Sequence, residues 1–310
     1  MEERRIGSLR VSVLGLGCNN FGRRLDYEST VPVVEAALAA GINFFDTADI
    51  YGEGKSEELL GRALGGRRDQ VVIATKFGME FDKKRKGAKP AYVRQAAEDS
   101  LRRLGTDHID LYQLHEPDRR TPIGETLAAL DELVRGGKVR EIGCSNFSAE
   151  QLREAEAVAA AAGTARFVSV QNEYSLVHRE PERAVLAECV RLGLAFIPFF
   201  PLASGLLTGK YRRGEAPPEN TRLSTSEGLA RRFLSERNRE IAEALAEFAA
   251  ARGHSLLELA FSWLLSRPAA ASVIAGATSA EQVRANAGAL TWQLSPAELA
   301  EIDRLAPPER

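Results

Sequence analysis

Cysteine is scarce in this chain. The three cysteines, Cys18, Cys144 and Cys189, are too few and too far apart for a disulfide framework or a zinc site. Long hydrophobic runs are also lacking, since none approaches the roughly 20 residues that span a bilayer, and residues 1–5 lead into no apolar stretch of signal-peptide length. We therefore expect a cytoplasmic protein that binds no metal and has no membrane partner.

An excess of charge of one sign is absent as well. Forty-one basic and 43 acidic residues give a formal net charge of −2 with histidine neutral, so there is no global attraction to nucleic acid. The composition, 44% hydrophobic and 27% charged, is ordinary for a globular protein. At 310 residues the chain has the length of a barrel of alternating strands and helices, and we expect residues 1–310 to form one domain.

What the sequence does contain is a regular alternation of short apolar runs with helix-patterned segments. After a predicted hairpin at 4–6 and 10–13, eight runs rich in apolar and β-branched residues have the pattern of strands. They lie at 11–16, 43–46, 71–76, 109–114, 140–144, 167–171, 195–199 and 272–275. A helical segment after each strand predicts a closed (β/α)8 TIM barrel.

An open, doubly wound sheet is the second candidate for the fold. It is disfavoured because the segment Gly15-Leu16-Gly17-Cys18-Asn19-Asn20 has no third glycine where a G-x-G-x-x-G fingerprint requires one.

Helix boundaries are marked by proline, glycine and a capping box. The predicted helices are 56–64, 91–104, 122–135 and 149–162. Pro90 precedes the second, Gly105 ends it, and Ser148 with Gln151 forms a capping box before the fourth. Two polar stretches, 77–89 and 212–226, are predicted to be long loops over the carboxyl-end face of the barrel, where with the wider stretch 212–235 they would shape ligand access.

Four polar side chains, Asp46, Tyr51, Lys76 and His115, lie at or just beyond the ends of predicted strands. The carboxyl ends of parallel strands meet at one face, so we expect these side chains to converge. A phenol has a pKa near 10, and a neighbouring ammonium favours its anion. Lys76, oriented by Asp46, would thus allow Tyr51 to act as a general acid, and His115 would hydrogen-bond the substrate oxygen.

Taken singly, each of these residues has an ordinary structural interpretation. Asp46 and Lys76 would be salt-bridge partners, and His115 would be a packed or capping residue. Their convergence instead favours proton transfer to a carbonyl oxygen while a hydride reaches its carbon.

Three segments around these residues resemble the aldo-keto reductase family. They are 44–52 followed by Ser56-Glu57 and Leu60-Gly61, then Thr75-Lys76, and then 103–115. The resemblance extends over nearly the whole chain. It implies a (β/α)8 barrel that reduces carbonyl compounds with NAD(P)H, with Asp46, Tyr51, Lys76 and His115 as the catalytic tetrad.

The same resemblance implies a set of cofactor-binding residues. Ser145, Asn146 and Gln171 would bind the nicotinamide carboxamide, which needs paired donors and acceptors. Segment 199–210 would stack on the nicotinamide and wrap the pyrophosphate, and segment 276–286 would hold the adenosine end. The full set is Gly17, Cys18, Asn19, Asp46, Ser145, Asn146, Gln171, Phe199, Phe200, Pro201, Leu202, Ser204, Gly205, Leu207, Lys210, Gly276, Thr278, Ser279, Gln282 and Asn286.

The adenosine end departs from what NADP-binding relatives commonly have. A Lys or Arg often holds the 2′-phosphate beside a helix N-terminus, whereas Gly276, Ala277 and Thr278 carry no charge. NADPH is the expected cofactor, with NADH or dual use as the alternative.

Two other functions remain open from the sequence. A cofactor-binding redox sensor or docking subunit, like the potassium-channel β subunits of the same family, would keep the barrel with little turnover. A barrel isomerase or lyase would leave Ser145, Asn146, Gln171 and segment 199–210 without a common purpose. For the reductase we expect a small carbonyl substrate, and the sequence specifies no oligomeric state.

Overall fold

The chain folds around a ring of eight parallel strands in the computed structural model, which describes residues 1–211, 215–219 and 221–308. A hairpin of β1 (Glu3–Ile6) and β2 (Leu9–Ser12) precedes the ring. The ring strands are β3 (Leu14–Gly17), β4 (Phe44–Asp46), β5 (Val72–Phe77), β6 (Ile109–Leu114), β7 (Val139–Ser145), β8 (Phe167–Glu173), β9 (Ala195–Phe199) and β10 (Val273–Gly276). The predicted (β/α)8 barrel with an N-terminal hairpin is confirmed.

Parallel pairing runs from β10 through β3 and on to β9. The last gap is bridged by Phe196, whose N–H donates to Ala269 O at 2.7 Å and whose carbonyl accepts from Ala271 N–H at 2.9 Å. Closing the ring in this way removes the exposed sheet edges. It also gathers the carboxyl ends of all eight strands at one mouth.

Helices surround the ring, and at least one follows every strand. They are α1 (Tyr27–Ala39), α2 (Lys55–Leu64), α3 (Pro90–Leu104), α4 (Ile123–Arg135), α5 (Ala149–Ala162), α6 (Val185–Leu192), α7 (Glu227–Phe233), α8 (Glu236–Ala250), α9 (Leu256–Leu265), α10 (Ala280–Gly288) and α11 (Pro296–Leu305). The four predicted helices match α2 to α5 within a residue, and the capping box of Ser148 and Gln151 is present. In the described part of the chain, no helix has the length and apolar character needed to cross a bilayer.

The first predicted strand, 11–16, is divided between two elements. Residues up to Ser12 belong to the hairpin, and β3 begins only at Leu14. The apolar side chains Ile6, Leu9 and Val11 pack against barrel-interior residues such as Phe44 and Leu111. The hairpin therefore closes the amino-terminal end of the barrel. The alternating run 11–16 contributes to both the hairpin and β3, and periodicity alone does not show where one strand ends and the other begins.

Both predicted long loops follow strands at the carboxyl-end face. Loop 77–89 connects β5 to α3 as expected. The stretch 212–235 is not wholly a loop, because α7 forms within it. Arg212, Arg213, Gly214 and Asn220 of this stretch lie outside the described residues.

Candidate active site

A buried ion pair occupies the floor of the barrel mouth. Lys76, fully buried on β5, donates from Nζ to Asp46 Oδ2 at 2.6 Å and to Thr47 O at 2.9 Å. Burial by itself would lower the pKa of Lys76, but Asp46 and then Tyr51 raise it above its ordinary value. The ammonium is therefore held charged beneath the site, which is what a charged neighbour of a general acid requires.

Tyr51 extends from the short turn that follows β4. The Lys76 ammonium lies 5.1 Å from the centroid of the Tyr51 ring. Gly52, the next residue, has a φ of 58°, and a Cβ there would lie 3.0 Å from Phe21 O. A glycine thus permits both the left-handed turn and the close approach of the 21–22 backbone that fix the position of the tyrosine.

The pKa of Tyr51 differs from the sequence-based expectation. Burial raises this pKa above its ordinary value, the Lys76 ammonium offsets part of the rise, and Asp46 works against Lys76. The phenol is therefore fully protonated at neutral pH and ready to donate. If Tyr51 acts as a general acid, Lys76 would stabilise the negative charge that forms as the proton leaves, rather than ionise the resting phenol.

His115 lies beside Tyr51 as a neutral imidazole. The two rings meet edge to face, with centroids 5.8 Å apart. Burial and the Lys76 ammonium lower the pKa of His115 to about 3. Its Nδ1 is buried and has no hydrogen-bond partner among the described residues, and His115 lines the same cavity as Tyr51.

The three residues predicted to bind a carboxamide form one hydrogen-bonded group. Gln171 Nε2 donates to Asp46 Oδ1 at 2.8 Å, and Ser145 Oγ donates to Gln171 O at 2.8 Å. Asn146 Nδ2 donates to His115 O at 2.9 Å and to Ser145 Oγ at 3.1 Å. With its Nε2 committed to Asp46, Gln171 presents its amide oxygen as the acceptor that a carboxamide NH₂ needs.

A cavity of about 610 Å³ opens above these residues. Asp46, Tyr51, His115, Ser145, Asn146 and Gln171 line its inner end, and Gly276, Thr278, Gln282 and Asn286 line another part. The cavity therefore brings together segments 17–24, 199–210 and 274–286, as expected for an extended ligand. Loop 77–89 contributes no residue to the lining, and its Arg85 and Lys86 pair with Asp82 and Glu80 of the same loop.

The segment after β9 has a strained backbone. Phe200, Ala203 and Ser204 adopt φ values of 53°, 46° and 57°, a region that non-glycine residues rarely occupy. The Ser204 hydroxyl is buried and has no hydrogen-bond partner among the residues that the structure describes. Strain together with an unpartnered hydroxyl at the cavity wall is typical of a segment shaped for a ligand.

Positive charge is concentrated in the cavity lining, at the predicted cofactor-binding residue Lys210 and at two arginines that the sequence did not single out. Arg24, Lys210 and Arg222 all line the cavity, and no carboxylate of the described residues pairs with any of them. Burial and then Arg24 lower the pKa of both Lys210 and Arg222. Arg222 lies 5.3 Å above the Phe200 ring. These three cations (the cationic wall) would attract an anionic ligand.

Three of the predicted cofactor-binding residues lie outside the lining. Cys18 is fully buried with Sγ 3.6 Å from Leu16 O, Leu207 is fully buried, and Ser279 caps α10 by accepting from Gln282 N–H. Lys76 is likewise fully enclosed, beneath Tyr51 and Asp46.

Sequence reasoning missed several residues of the lining. They are Asn20, Arg24, Thr221, Arg222, Leu257 and Ala285. Arg24 follows Asn19 closely in the first loop, so its position was a usable signal. Arg222 lies in a polar stretch without periodicity, where nothing local marks it.

No group of three or more metal-ligating side chains occurs in residues 1–211, 215–219 and 221–308. The donor set of the cavity consists of amides, hydroxyls and cations, which suits a phosphate-bearing organic ligand with a carboxamide.

Comparison with known proteins agrees with this chemistry. The model of the aldo/keto reductase family matches residues 13–307. An uncharacterized oxidoreductase of Bacillus subtilis (strain 168), YrpG, is 38% identical over 89% of this chain and 86% of its own length. A probable voltage-gated potassium channel subunit beta of Oryza sativa subsp. japonica is 36% identical over 94% and 91%, and the versiconal hemiacetal acetate reductase of Aspergillus parasiticus is 32% identical over 98% and 96%.

Proposed function

The chain belongs to the aldo/keto reductase family, and we propose that it reduces a small aldehyde or ketone to the alcohol with Tyr51 as the general acid. The observation that carries the proposal is the group formed by Tyr51, His115 and the buried Lys76–Asp46 pair at the inner end of one cavity. A reduced nicotinamide, when bound, supplies the hydride.

The protein residues would donate the proton, stabilise the charge that forms and orient the carbonyl. The Tyr51 hydroxyl gives its proton to the carbonyl oxygen, and the O–H bond of the phenol breaks as the alcohol O–H bond forms. Lys76 stabilises the developing phenolate, and Asp46 keeps Lys76 charged and oriented. The neutral His115 orients the carbonyl by a hydrogen bond to its oxygen.

Residues of the described cavity fit a nicotinamide dinucleotide. Gln171, Ser145 and Asn146 match the donors and acceptors of a carboxamide, and Phe199 presents an aromatic face to a planar ring. The unpartnered Ser204 hydroxyl and the cationic wall suit the phosphates.

NADPH is the cofactor we propose. Three cations without a carboxylate partner in the described part of the chain exceed what the two charges of a pyrophosphate need, and the surplus favours a dinucleotide with an additional 2′-phosphate. This supports the expectation drawn from the family resemblance, although segment 276–278 itself is uncharged.

The decisive experiment combines binding and turnover. NADPH fluorescence should be quenched or shifted by micromolar protein, and a panel of small aldehydes, sugar aldehydes and aromatic ketones should include substrates that the protein reduces. Tyr51→Phe should lower turnover by several orders of magnitude, since general acid catalysis contributes about 10²–10⁴-fold, and should leave NADPH affinity nearly unchanged. Tyr27→Phe, on α1 outside the cavity, is the matched control. Near-normal turnover by Tyr51→Phe would refute the acid assignment.

A second candidate is a cofactor-binding redox sensor or docking subunit with little turnover. One relative at 36% identity carries the name of a probable potassium channel subunit beta, which favours this alternative. Tight NADPH binding without reduction of any panel member would support it over the reductase.

We also propose a reducing compartment, the cytoplasm, as the place of action. Cys18, Cys144 and Cys189 are all buried free thiols, as expected where disulfides do not form.

A further inference from the structure

The neck of loop 77–89 is bonded to the backbone of His115. His115 N–H donates to Phe77 O at 2.8 Å, at the point where the loop leaves β5. The loop then closes on itself, because Gly87 N–H donates to Gly78 O at 2.7 Å. The two ends of the loop therefore meet beside the residue proposed to orient the carbonyl.

Asp118 completes this connection from the other side. Its Oδ2 accepts from Ala88 N–H at 2.9 Å, directly after Gly87, and Asp118 itself lies three residues beyond His115 in the chain. The three hydrogen bonds from His115, Gly87 and Ala88 therefore form a closed network (the neck network). The stretches of chain that join them are 77–78, 87–88 and 115–118.

Both oxygens of the Asp118 carboxylate are engaged. Oδ2 also accepts from Thr121 Oγ1 at 2.8 Å, and Oδ1 accepts from Arg120 N–H at 2.9 Å. Burial by itself would raise the pKa of Asp118, but the hydrogen bonds that the carboxylate accepts bring this pKa below its ordinary value. Asp118 is therefore a charged acceptor at neutral pH, and hydrogen bonds to charged groups are stronger than those between neutral groups.

The backbone of His115 is held at both of its polar groups. Its N–H belongs to the neck network, and its carbonyl accepts from Asn146 Nδ2 at 2.9 Å. The carbonyl of Ala88 accepts from Thr126 Oγ1 on α4 at 3.0 Å, so the returning end of the loop is also fixed to a helix. A shift of this backbone would move the imidazole with it, and a group that orients a substrate must be placed to within a fraction of an ångström.

We propose that Asp118 is a positioning residue for His115. By holding Ala88, its carboxylate closes the neck network and fixes the backbone from which the imidazole reaches the substrate oxygen. Asp118 is not among the residues that line the cavity, so it acts through His115 and not by touching the ligand. The inference rests on the proposed function in taking His115 as the residue that orients the carbonyl.

The first test removes the acceptor. With NADPH saturating, Asp118→Ala should lower kcat by roughly 10- to 100-fold, because displacing an orienting group by about 1 Å costs up to about 10²-fold. The Kd for NADPH should be nearly unchanged, since the cofactor-binding residues keep their contacts. Asp69→Ala, at an exposed carboxylate outside the network, should keep the wild-type kcat. A wild-type kcat for Asp118→Ala would overturn the proposal.

Gly87→Ala tests the network while leaving Asp118 in place. A Cβ on Gly87 would lie 2.6 Å from Asp118 Oδ2, so the carboxylate has to move away from Ala88 N–H. Gly253 provides the matched control, because its φ of 77° is close to the 76° of Gly87 and a Cβ there meets no atom of the described residues within 4 Å. Both alanines carry a similar backbone strain, yet only Gly87→Ala should lower kcat toward the value of Asp118→Ala. Equal kcat values for the two glycine variants would contradict the proposal.

A double-mutant cycle separates positioning from a general effect on the fold. His115→Gln removes the imidazole, so a residue that acts through the imidazole has nothing left to position. Adding Asp118→Ala to His115→Gln should therefore lower kcat by less than about twofold, whereas independent effects would multiply. Losses that multiply would remove His115 as the target of Asp118.

A last readout needs no turnover. Amide hydrogen exchange at Ala88 and His115 reports local opening of the neck network. Both amides should exchange roughly 10- to 100-fold faster in Asp118→Ala, because a hydrogen bond to a charged acceptor is lost, and Gly253→Ala should stay near the wild-type rate. Unchanged exchange in Asp118→Ala would refute the network. If no carbonyl compound is reduced at all, the proposed function fails, while the exchange rates still decide whether Asp118 holds this backbone.

Discussion

Gln171 donates a 2.8 Å hydrogen bond from Nε2 to Oδ1 of Asp46, whose other oxygen accepts from Lys76. The residue proposed to recognise the carboxamide is thus bonded to the carboxylate that orients the lysine. The residues proposed for binding and for catalysis therefore belong to one hydrogen-bonded unit.

Removing Lys76 should destabilise the fold as well as abolish turnover. Lys76→Met leaves Asp46 as an uncompensated buried charge, which costs about 3–5 kcal/mol. The double variant Asp46→Asn with Lys76→Met should recover part of this loss, because no charge is then left buried. Urea denaturation measures both. Lys86→Met, which breaks an exposed pair with Glu80, should cost no more than about 1 kcal/mol, and an equal cost for both lysines would contradict the burial argument.

His115 should make the protein less stable in mild acid. The pKa of His115 is about 3 in the folded state and about 6.5 in the unfolded chain. Between these two values His115 is protonated in the unfolded chain but neutral in the native state. Stability should then fall by about 1.4 kcal/mol for each pH unit below 6.5. His115→Gln lacks this dependence, so the stability difference between variant and wild type should change by about 2 kcal/mol from pH 6.5 to 5. Parallel losses in the two proteins would show that His115 titrates normally.

Arg222 should contribute more to NADPH binding than to NADH binding. Arg222→Met removes a half-buried cation that has no carboxylate partner in the described residues. Charge-assisted hydrogen bonds contribute about 1.5–3 kcal/mol, so the Kd for NADPH should rise by roughly 10- to 100-fold, with a smaller change for NADH. Fluorescence titration at two salt concentrations measures this. Arg304→Met on the exposed surface of α11 is the control, and equal effects on both dinucleotides would remove Arg222 from 2′-phosphate recognition.

Ser204→Gly should stabilise the ligand-free protein and weaken its binding of NADPH. The substitution relieves a left-handed φ of 57° and removes a buried hydroxyl without a partner, which should stabilise the ligand-free protein by about 1 kcal/mol. NADPH binding should weaken, because the hydroxyl proposed to donate to a cofactor phosphate is lost. Ser29→Gly, within α1, should instead destabilise by about 0.5–1 kcal/mol. A destabilised Ser204→Gly would mean that this backbone is not strained.

Local signals explain why much of the architecture was predictable. Pro90, Gly105 and the Ser148–Gln151 capping box act within a few residues of the chain, so the ends of α3 and the start of α5 follow from the sequence. The strand boundary at Val13 could not be predicted in this way, because the same alternation of apolar residues fits both the hairpin and β3. The choice between them depends on which residues fill the amino-terminal end of the barrel.

The sequence by itself determined the order of strands and helices and the placement of Asp46, Tyr51, Lys76 and His115 at strand ends, since periodicity and chain connectivity are properties of the chain. Tertiary structure alone decided how these groups behave. Burial outweighs Lys76 and raises the Tyr51 pKa, and folding brings Arg222 to the same wall as Arg24. Desolvation and distances between charges exist only once remote segments meet, so no local pattern could contain them.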